Sequence, residues 1–172
     1  NPAAGSNLAT SRKTFVFDST SGSGGPSGVA SATSLKIVPS HLEALLGSAV
    51  LPRRRLVLGG EASSWELVRK VKQLRPECEV INHYGPTEAT IGALSNALAD
   101  RDGQGNVPLG RPLGNVQAYV LDQWLRPVPV GVSGEIYLGG AGVSRGYLRR
   151  AELTAEKFIP DPFSGEPGAR LY

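Results

Sequence analysis

The stretch from Ser34 to Pro86 constrains the fold most, because it alternates short apolar runs with helical periodicity. SLKIVPS carries a run suited to a buried strand, stopped by Pro39. HLEALLGSA follows, with Ser40 as its cap, Leu42, Leu45 and Leu46 on one face and Gly47 near its end. RRLVLGGE reads as a second strand through Leu56, Val57 and Leu58, running into a Gly-Gly turn. SSWELVRKVKQLRP reads as a helix capped by Ser63 or Ser64, with Trp65, Val68, Val71 and Leu74 on one face and Pro76 beyond its end. CEVINHYGP is a third strand, breaking at Gly85-Pro86. Strand, helix, strand, helix, strand is the rhythm of βαβ units on a parallel sheet.

The flanks differ in texture. Residues 1–33 are small and polar, with one short strand expected in TFVF (14–17) and a Gly/Ser stretch, TSGSGGPSG, at 20–28. Such a stretch suits either an anion-wrapping loop or a flexible tether. DRDGQGNVPLGRP reads as a hinge. After it, VQAYVLD, WLRPVPVGVSG, EIYLGG and GVSRGYL read as short strands, and ELTAEKFIPDPF as a short helix from Glu152 or Thr154 closed by Pro160. The expected fold class is α/β. Residues 1–33 form a poorly ordered segment, 34–106 a parallel-sheet subdomain, and 107–172 a small β-barrel-like subdomain.

Composition excludes several classes. The 172 residues carry a net charge of only +3, and the longest basic run is Arg53-Arg54-Arg55. With aromatics at 6%, a nucleic-acid surface is not expected. One cysteine, Cys78, precludes an internal disulfide and suits a reducing compartment, so a cytoplasmic location is expected. No apolar run approaches the roughly 18 residues of a membrane span, and no membrane partner is expected. Methionine is absent even at position 1, which reads as an internal piece of a longer protein or an engineered one.

The strongest chemistry lies in INHYGPTEATIG (81–92). A strand ends there, at the sheet edge where open α/β folds bind ligands. Tyr84 offers a flat face for stacking a base, and Gly85-Pro86 makes a sharp turn that lets backbone come close. Thr87 offers a hydroxyl for a phosphate, and Glu88 a hard oxygen suited to Mg²⁺ held mainly by nucleotide phosphates. The competing interpretation is a strand-end turn with incidental polar residues.

The wider text resembles a known family. NHYGPTE is similar to the N-x-Y-G-P-T-E motif of the adenylation domains of nonribosomal peptide synthetases, relatives of acyl-CoA ligases and luciferases. LVLGGEA (56–62) looks like the preceding family motif, and residues 109–163 resemble the following stretch, including a G-E-[IL]-x-[IL]-x-G-x-G-V-x-R-G-Y signature at 134–147. The resemblance covers about residues 34–172. It implies two steps: ATP and an amino acid give an aminoacyl-adenylate and pyrophosphate, and the phosphopantetheine thiol of a peptidyl carrier protein then takes the aminoacyl group. Catalysis would be positioning and charge stabilisation. By this resemblance Thr87 and Glu88 are the catalytic pair, Thr87 contacting the α-phosphate and Glu88 helping to hold Mg²⁺. Tyr84 stacks on adenine, Gly60 and Asn82 line it, and Glu61 and Gly85 complete the nucleotide-binding turns. The partners implied are the amino acid, the carrier protein and neighbouring synthetase domains. The segment 134–147 is expected to build the small β subdomain, its glycines serving turns.

The family's side-chain pocket, carried over, falls on Lys36, Val57, Gly59, His83, Ile91 and Gly92. Lys36 on a buried strand is costly without a partner. With His83 it makes a cationic pair over small or apolar walls, which fits a substrate carboxylate. The pattern resembles that of aspartate-activating domains, so L-aspartate or a β-substituted aspartate is expected, with asparagine the nearer rival.

Some family features are missing. The aspartate that holds the substrate amino group, the R-T-G-D motif and the catalytic lysine have no counterpart here, so the chain alone is expected to be inactive. A non-catalytic subdomain and an acyl-CoA ligase fragment are the alternatives. Thr20-Ser21-Gly22-Ser23 matches the first half of the family's T-S-G-S-T-G-x-P-K-G phosphate loop, but Ser27 stands in place of its lysine, which reads as a degraded loop.

Overall fold

The structure is a computed structural model that describes residues 15–17, 32–48, 51–98 and 103–172. The Gly/Ser stretch at 20–28 and the rest of the expected first segment, apart from one short strand and residues 32–33, lie outside the described residues. The chain divides into two compact units, Asn1–Val80 with Asp102–Asn106, and Ile81–Arg101 with Val107–Tyr172.

The first unit holds β1 (Phe15–Phe17), β2 (Ser34–Ile37), α1 (Pro39–Leu45), β3 (Arg55–Gly59), α2 (Trp65–Leu74) and the first two residues of β4 (Glu79–Tyr84). β1 runs antiparallel to β2, and β2 parallel to β3, with α1 in the crossover that a parallel pair requires. Leu35 sits opposite Leu56 and Ile37 opposite Leu58, and all four are buried. Because successive side chains in a strand alternate faces, Lys36 and its register partner Val57 share the other face, half-buried. Trp65, Leu67, Val68 and Val71 of α2 complete this core with Leu42 of α1 and with Cys78 and Val80.

Two details differ from the sequence reading. Ser40 does not cap α1: the helix begins at Pro39, whose missing N–H costs nothing at the first position, and Val38 precedes it without a side-chain cap. Leu74 is 57% exposed, and Leu67 takes its place in the core. The expected cap of α2 is Ser64, whose Oγ accepts the Leu67 N–H at 3.1 Å.

The second unit contains the remainder of β4, then β5 (Leu94–Ala97), β6 (Arg111–Pro112), β7 (Val116–Leu121), β8 (Glu135–Gly140), α3 (Ala151–Lys157), β9 (Ile159–Pro160) and β10 (Arg170–Leu171). β4, β5 and β6 pair antiparallel in that order, and β7 and β8 form a six-residue antiparallel ladder. Ala89, Ala93, Leu94 and Leu138 form a core against which Tyr84, Leu109, Val116, Ala118 and Ile136 pack. The α/β class is the one observed, with mixed strand directions. Among the described residues no barrel closes: β7–β8 and β9–β10 are separate two-stranded ladders.

WLRPVPVGVSG and GVSRGYL are turns rather than strands. In the first, Asp122 Oδ1 accepts the N–H groups of Trp124 and Arg126 at 2.8 and 3.0 Å, and Leu125 takes φ +60°. That local turn chemistry outcompetes the alternating pattern. β6 lies at the end of the segment read as a hinge, and β5 is a strand where the sequence reading assigned no element. Among the described residues no helix is long and apolar enough to cross a membrane.

Candidate functional site

The residues singled out from the sequence fall on both units. Lys36, Val57, Gly59, Gly60 and Glu61 stand on the first, and Asn82 to Gly92 on the second. Each set is described within its own unit.

On the first unit, Lys36, Val57 and Gly59 share one face of β2–β3, since positions 57 and 59 have the same parity and Val57 is the partner of Lys36. Gly60 takes φ +89°, a conformation an L-residue rarely adopts, and turns the chain past Val38. Glu61 is exposed, and its carboxylate accepts both the backbone N–H and the hydroxyl of Ser40 at 3.0 Å each. It thereby serves the donor-rich first turn of α1.

On the second unit the candidates occupy the end of β4 and the turn after it. Asn82 is 4% exposed, and its Nδ2 donates to the Pro108 carbonyl at 3.0 Å. Asn96, its partner on β5, donates to the same oxygen at 3.2 Å. Tyr84 is half-buried, packed on the Ala89–Leu138 core, while its carbonyl accepts the Ala93 N–H at 2.8 Å. A β-carbon at Gly85 would lie 2.5 Å from the Ile91 carbonyl oxygen, so only glycine admits this return of the chain.

After Pro86 a single 3₁₀ turn, Thr87–Ala89, leaves Thr87 exposed and Glu88 half-buried. Thr90 and Ile91 then take φ +58° and +68°, two consecutive β-branched residues in the left-handed region. Such strain persists only where surroundings enforce it, and it clusters at functional sites. Here the Ile91 N–H donates to Pro86 O at 3.1 Å, and Thr90 Oγ1 donates to Gly142 O at 2.6 Å. Ile91 is 61% exposed. His83 lies over Gly92, leaving 2.7 Å between its Nε2 and a β-carbon built there.

Sequence reading missed what holds Glu88. Tyr147 donates its hydroxyl proton to Glu88 Oε1 at 2.6 Å, and the Ser144 N–H donates to the Glu88 carbonyl at 2.7 Å. The Glu88 hydrogen bond, then burial and the neighbouring Tyr172 hydroxyl, hold the Tyr147 phenol well above its ordinary pKa. Nothing in the sequence marks a contact between residues 59 positions apart. Among the described residues no group of three or more His, Cys, Asp or Glu side chains could hold a metal ion. A polar cleft of about 410 Å³ in the second unit, lined by Asn115, Gln117, Asp161, Glu166 and Arg170 among others, includes none of these candidates.

Comparison with known proteins places this geometry. Residues 29–148 match the AMP-binding enzyme family. Malpinin synthetase of Mortierella alpina is 48% identical over 143 residues, covering 81% of this chain and 2% of that protein. Bacitracin synthase 3 of Bacillus licheniformis is 41% identical over 145 residues, covering 80% and 2%. Holo-PA1221, an NRPS protein containing adenylation and PCP domains bound to a vinylsulfonamide inhibitor, superposes with a TM-score of 0.73 at 27% identity, covering 82% of this chain and 25% of that one. The chain belongs to the AMP-binding enzyme family. Its relatives and structural neighbours are nonribosomal peptide synthetases and their adenylation domains, and the chain is part of such a domain. It spans 2% of the length of these two curated relatives.

Proposed function

We propose that the chain contributes nucleotide and amino-acid contacts to an adenylation domain that converts ATP and an amino acid to an aminoacyl-adenylate and pyrophosphate. The aminoacyl group then passes to the phosphopantetheine thiol of a peptidyl carrier protein. The family match across residues 29–148 carries this reading. A structural neighbour that joins adenylation and PCP domains supports the carrier partner and adjoining synthetase domains.

In this reading the turn after β4 meets the nucleotide. Tyr84 stacks on adenine, with Asn82, Gly60, Glu61 and Gly85 shaping its surroundings. The exposed Thr87 hydroxyl donates to the α-phosphate, where negative charge grows as the substrate carboxylate attacks in line. The donor set suits Mg²⁺: Glu88 is a hard carboxylate that belongs to no group of three or more His, Cys, Asp or Glu side chains among the described residues, as expected for an ion held mostly by phosphates and water. Once bound, Mg²⁺ would neutralise phosphate charge. The pocket is Lys36, Val57, Gly59, His83, Ile91 and Gly92, and the substrate L-aspartate or a β-substituted aspartate. The face that Lys36 shares with Val57 supports that reading.

The test is ATP–pyrophosphate exchange across a panel of amino acids in the intact parent protein. Aspartate should be preferred, and Lys36→Thr or His83→Glu should lower aspartate-dependent exchange roughly tenfold or more, the cost of losing a hydrogen bond to a charged group. Unchanged exchange in both variants would sink the aspartate assignment. Exchange with a fatty acid in place of any amino acid would favour the acyl-CoA ligase alternative. The 172-residue chain by itself should show no exchange, because it covers 25% of the neighbouring adenylation–PCP structure.

A further inference from the structure

The segment 140–147 does more than turn the chain. It touches the Thr87–Thr90 turn at three points. Ser144 N–H donates to the Glu88 carbonyl at 2.7 Å, Gly142 O accepts Thr90 Oγ1 at 2.6 Å, and Tyr147 Oη donates to Glu88 Oε1 at 2.6 Å. The first holds the backbone of the turn, the second the Thr90 side chain, and the third the Glu88 carboxylate.

The segment is itself braced on both sides. Arg170 of β10 donates from Nη1 to Arg145 O at 3.0 Å and from Nη2 to Ser144 O at 3.3 Å. Thr154 of α3 accepts the Tyr147 N–H through Oγ1 at 3.0 Å. The Tyr147 ring meets the buried Phe158 edge-on, with centroids 5.5 Å apart. The phenol is therefore held at both ring and hydroxyl. A half-buried carboxylate on a short turn would otherwise sample several rotamers.

We infer that Tyr147 is a positioning residue: its hydroxyl occupies one oxygen of Glu88 and aims the other at the divalent cation of the ATP complex. The inference rests on the assignment of Glu88 to Mg²⁺ proposed above. A hydrogen-bonded partner behind a metal-binding carboxylate fixes its orientation, and removing such partners weakens metal binding by roughly tenfold or more. Packing by the ring and positioning by the hydroxyl are separable, because phenylalanine keeps the contact with Phe158.

The experiment measures Mg²⁺-dependent ATP binding by calorimetry, together with ATP–pyrophosphate exchange against Mg²⁺ concentration, in the intact parent protein, for wild type, Tyr147→Phe, Glu88→Gln and the double variant. Tyr147→Phe should raise the Mg²⁺ needed for half-maximal ATP binding and for half-maximal exchange roughly tenfold, with the KM for the amino acid unchanged. The shift should vanish when Glu88→Gln is already present, since the hydroxyl acts through that carboxylate. An unaltered Mg²⁺ dependence in Tyr147→Phe, with Glu88→Gln strongly affected, overturns the positioning role and leaves the function standing. A Tyr147→Phe effect of equal size in both backgrounds also overturns it, by showing a route other than Glu88. Wild-type protein without amino-acid-dependent exchange overturns the proposed function, and the positioning role falls with it.

Discussion

His83 lies directly over Gly92, such that a β-carbon on the glycine would stand 2.7 Å from Nε2 and 2.8 Å from Cε1 of the imidazole. The two residues belong to different parts of the strand–turn–strand: His83 sits on β4 opposite Ser95, and Gly92 closes the strained turn. The ring rests in a space that only a residue without a side chain leaves open. Gly92→Ala should push the ring aside rather than unfold the turn, because the obstructing atoms are the end of a side chain. The expected cost is about 0.5–1.5 kcal/mol, that of an off-rotamer side chain. In proton NMR spectra of the wild type and the variant, the His83 ring resonances should differ while those of His41 coincide. Coincident spectra would show that the ring does not rest on Gly92.

Gly85→Ala is the contrasting case. Its β-carbon would meet backbone, 2.5 Å from Ile91 O and 2.7 Å from Ala93 N. The Ala93 N–H donates to Tyr84 O at 2.8 Å, so any relief separates the start of the β4–β5 pairing. A loss of about 3 kcal/mol is expected, at the upper end of overpacking costs. Urea denaturation of the two alanine variants side by side decides the matter: equal losses would contradict the distinction between a ring that yields and a backbone that does not.

The strand–helix alternation from Ser34 to Tyr84 was legible because it is written in local periodicity. Leu35, Ile37, Leu56 and Leu58 are buried as their parity requires, and Ser64 caps α2 through a hydrogen bond three residues long. The YGPTE turn was legible for a similar reason, as its glycine and proline act within a few residues. What escaped was non-local or decided by competition. Glu61 serves Ser40, 21 positions away, and Tyr147 serves Glu88 across 59. The alternating Trp124–Val132 segment reads as a strand until Asp122 turns it, a case of side-chain-to-backbone bonding overriding pattern.

Ile91 holds φ +68° with its side chain 61% exposed, so it bears left-handed strain with little burial to offset it. Asparagine tolerates that region better than a β-branched residue. Ile91→Asn should therefore raise stability by about 1 kcal/mol, the scale of the left-handed penalty. The measurement is the urea midpoint at unchanged m-value. A loss would mean that the Ile91 side chain contributes packing that its exposure does not suggest.

Cys78 is fully buried, and burial pushes its thiol pKa upward, with Lys72 and Arg75 only partly opposing the shift. The sign of the pH effect follows. Below the ordinary thiol pKa of about 8.5 both states keep the proton and the contribution is intact. Above it the unfolded chain releases its proton first, binds fewer protons than the folded chain, and gains relative stability. Folding stability attributable to Cys78 is thus lost progressively as pH rises from the ordinary thiol value towards the raised one. Several tyrosines with raised pKa add a similar alkaline loss, so the comparison must be differential. The stability gap between wild type and Cys78→Ala should be constant from pH 6 to about 8 and narrow above about 8.5. Native protein should also resist iodoacetamide at pH 8 and react fully in urea. A gap that stays level through pH 10, or a thiol alkylated as fast in the folded chain as in the unfolded one, would show that Cys78 is not sealed from solvent.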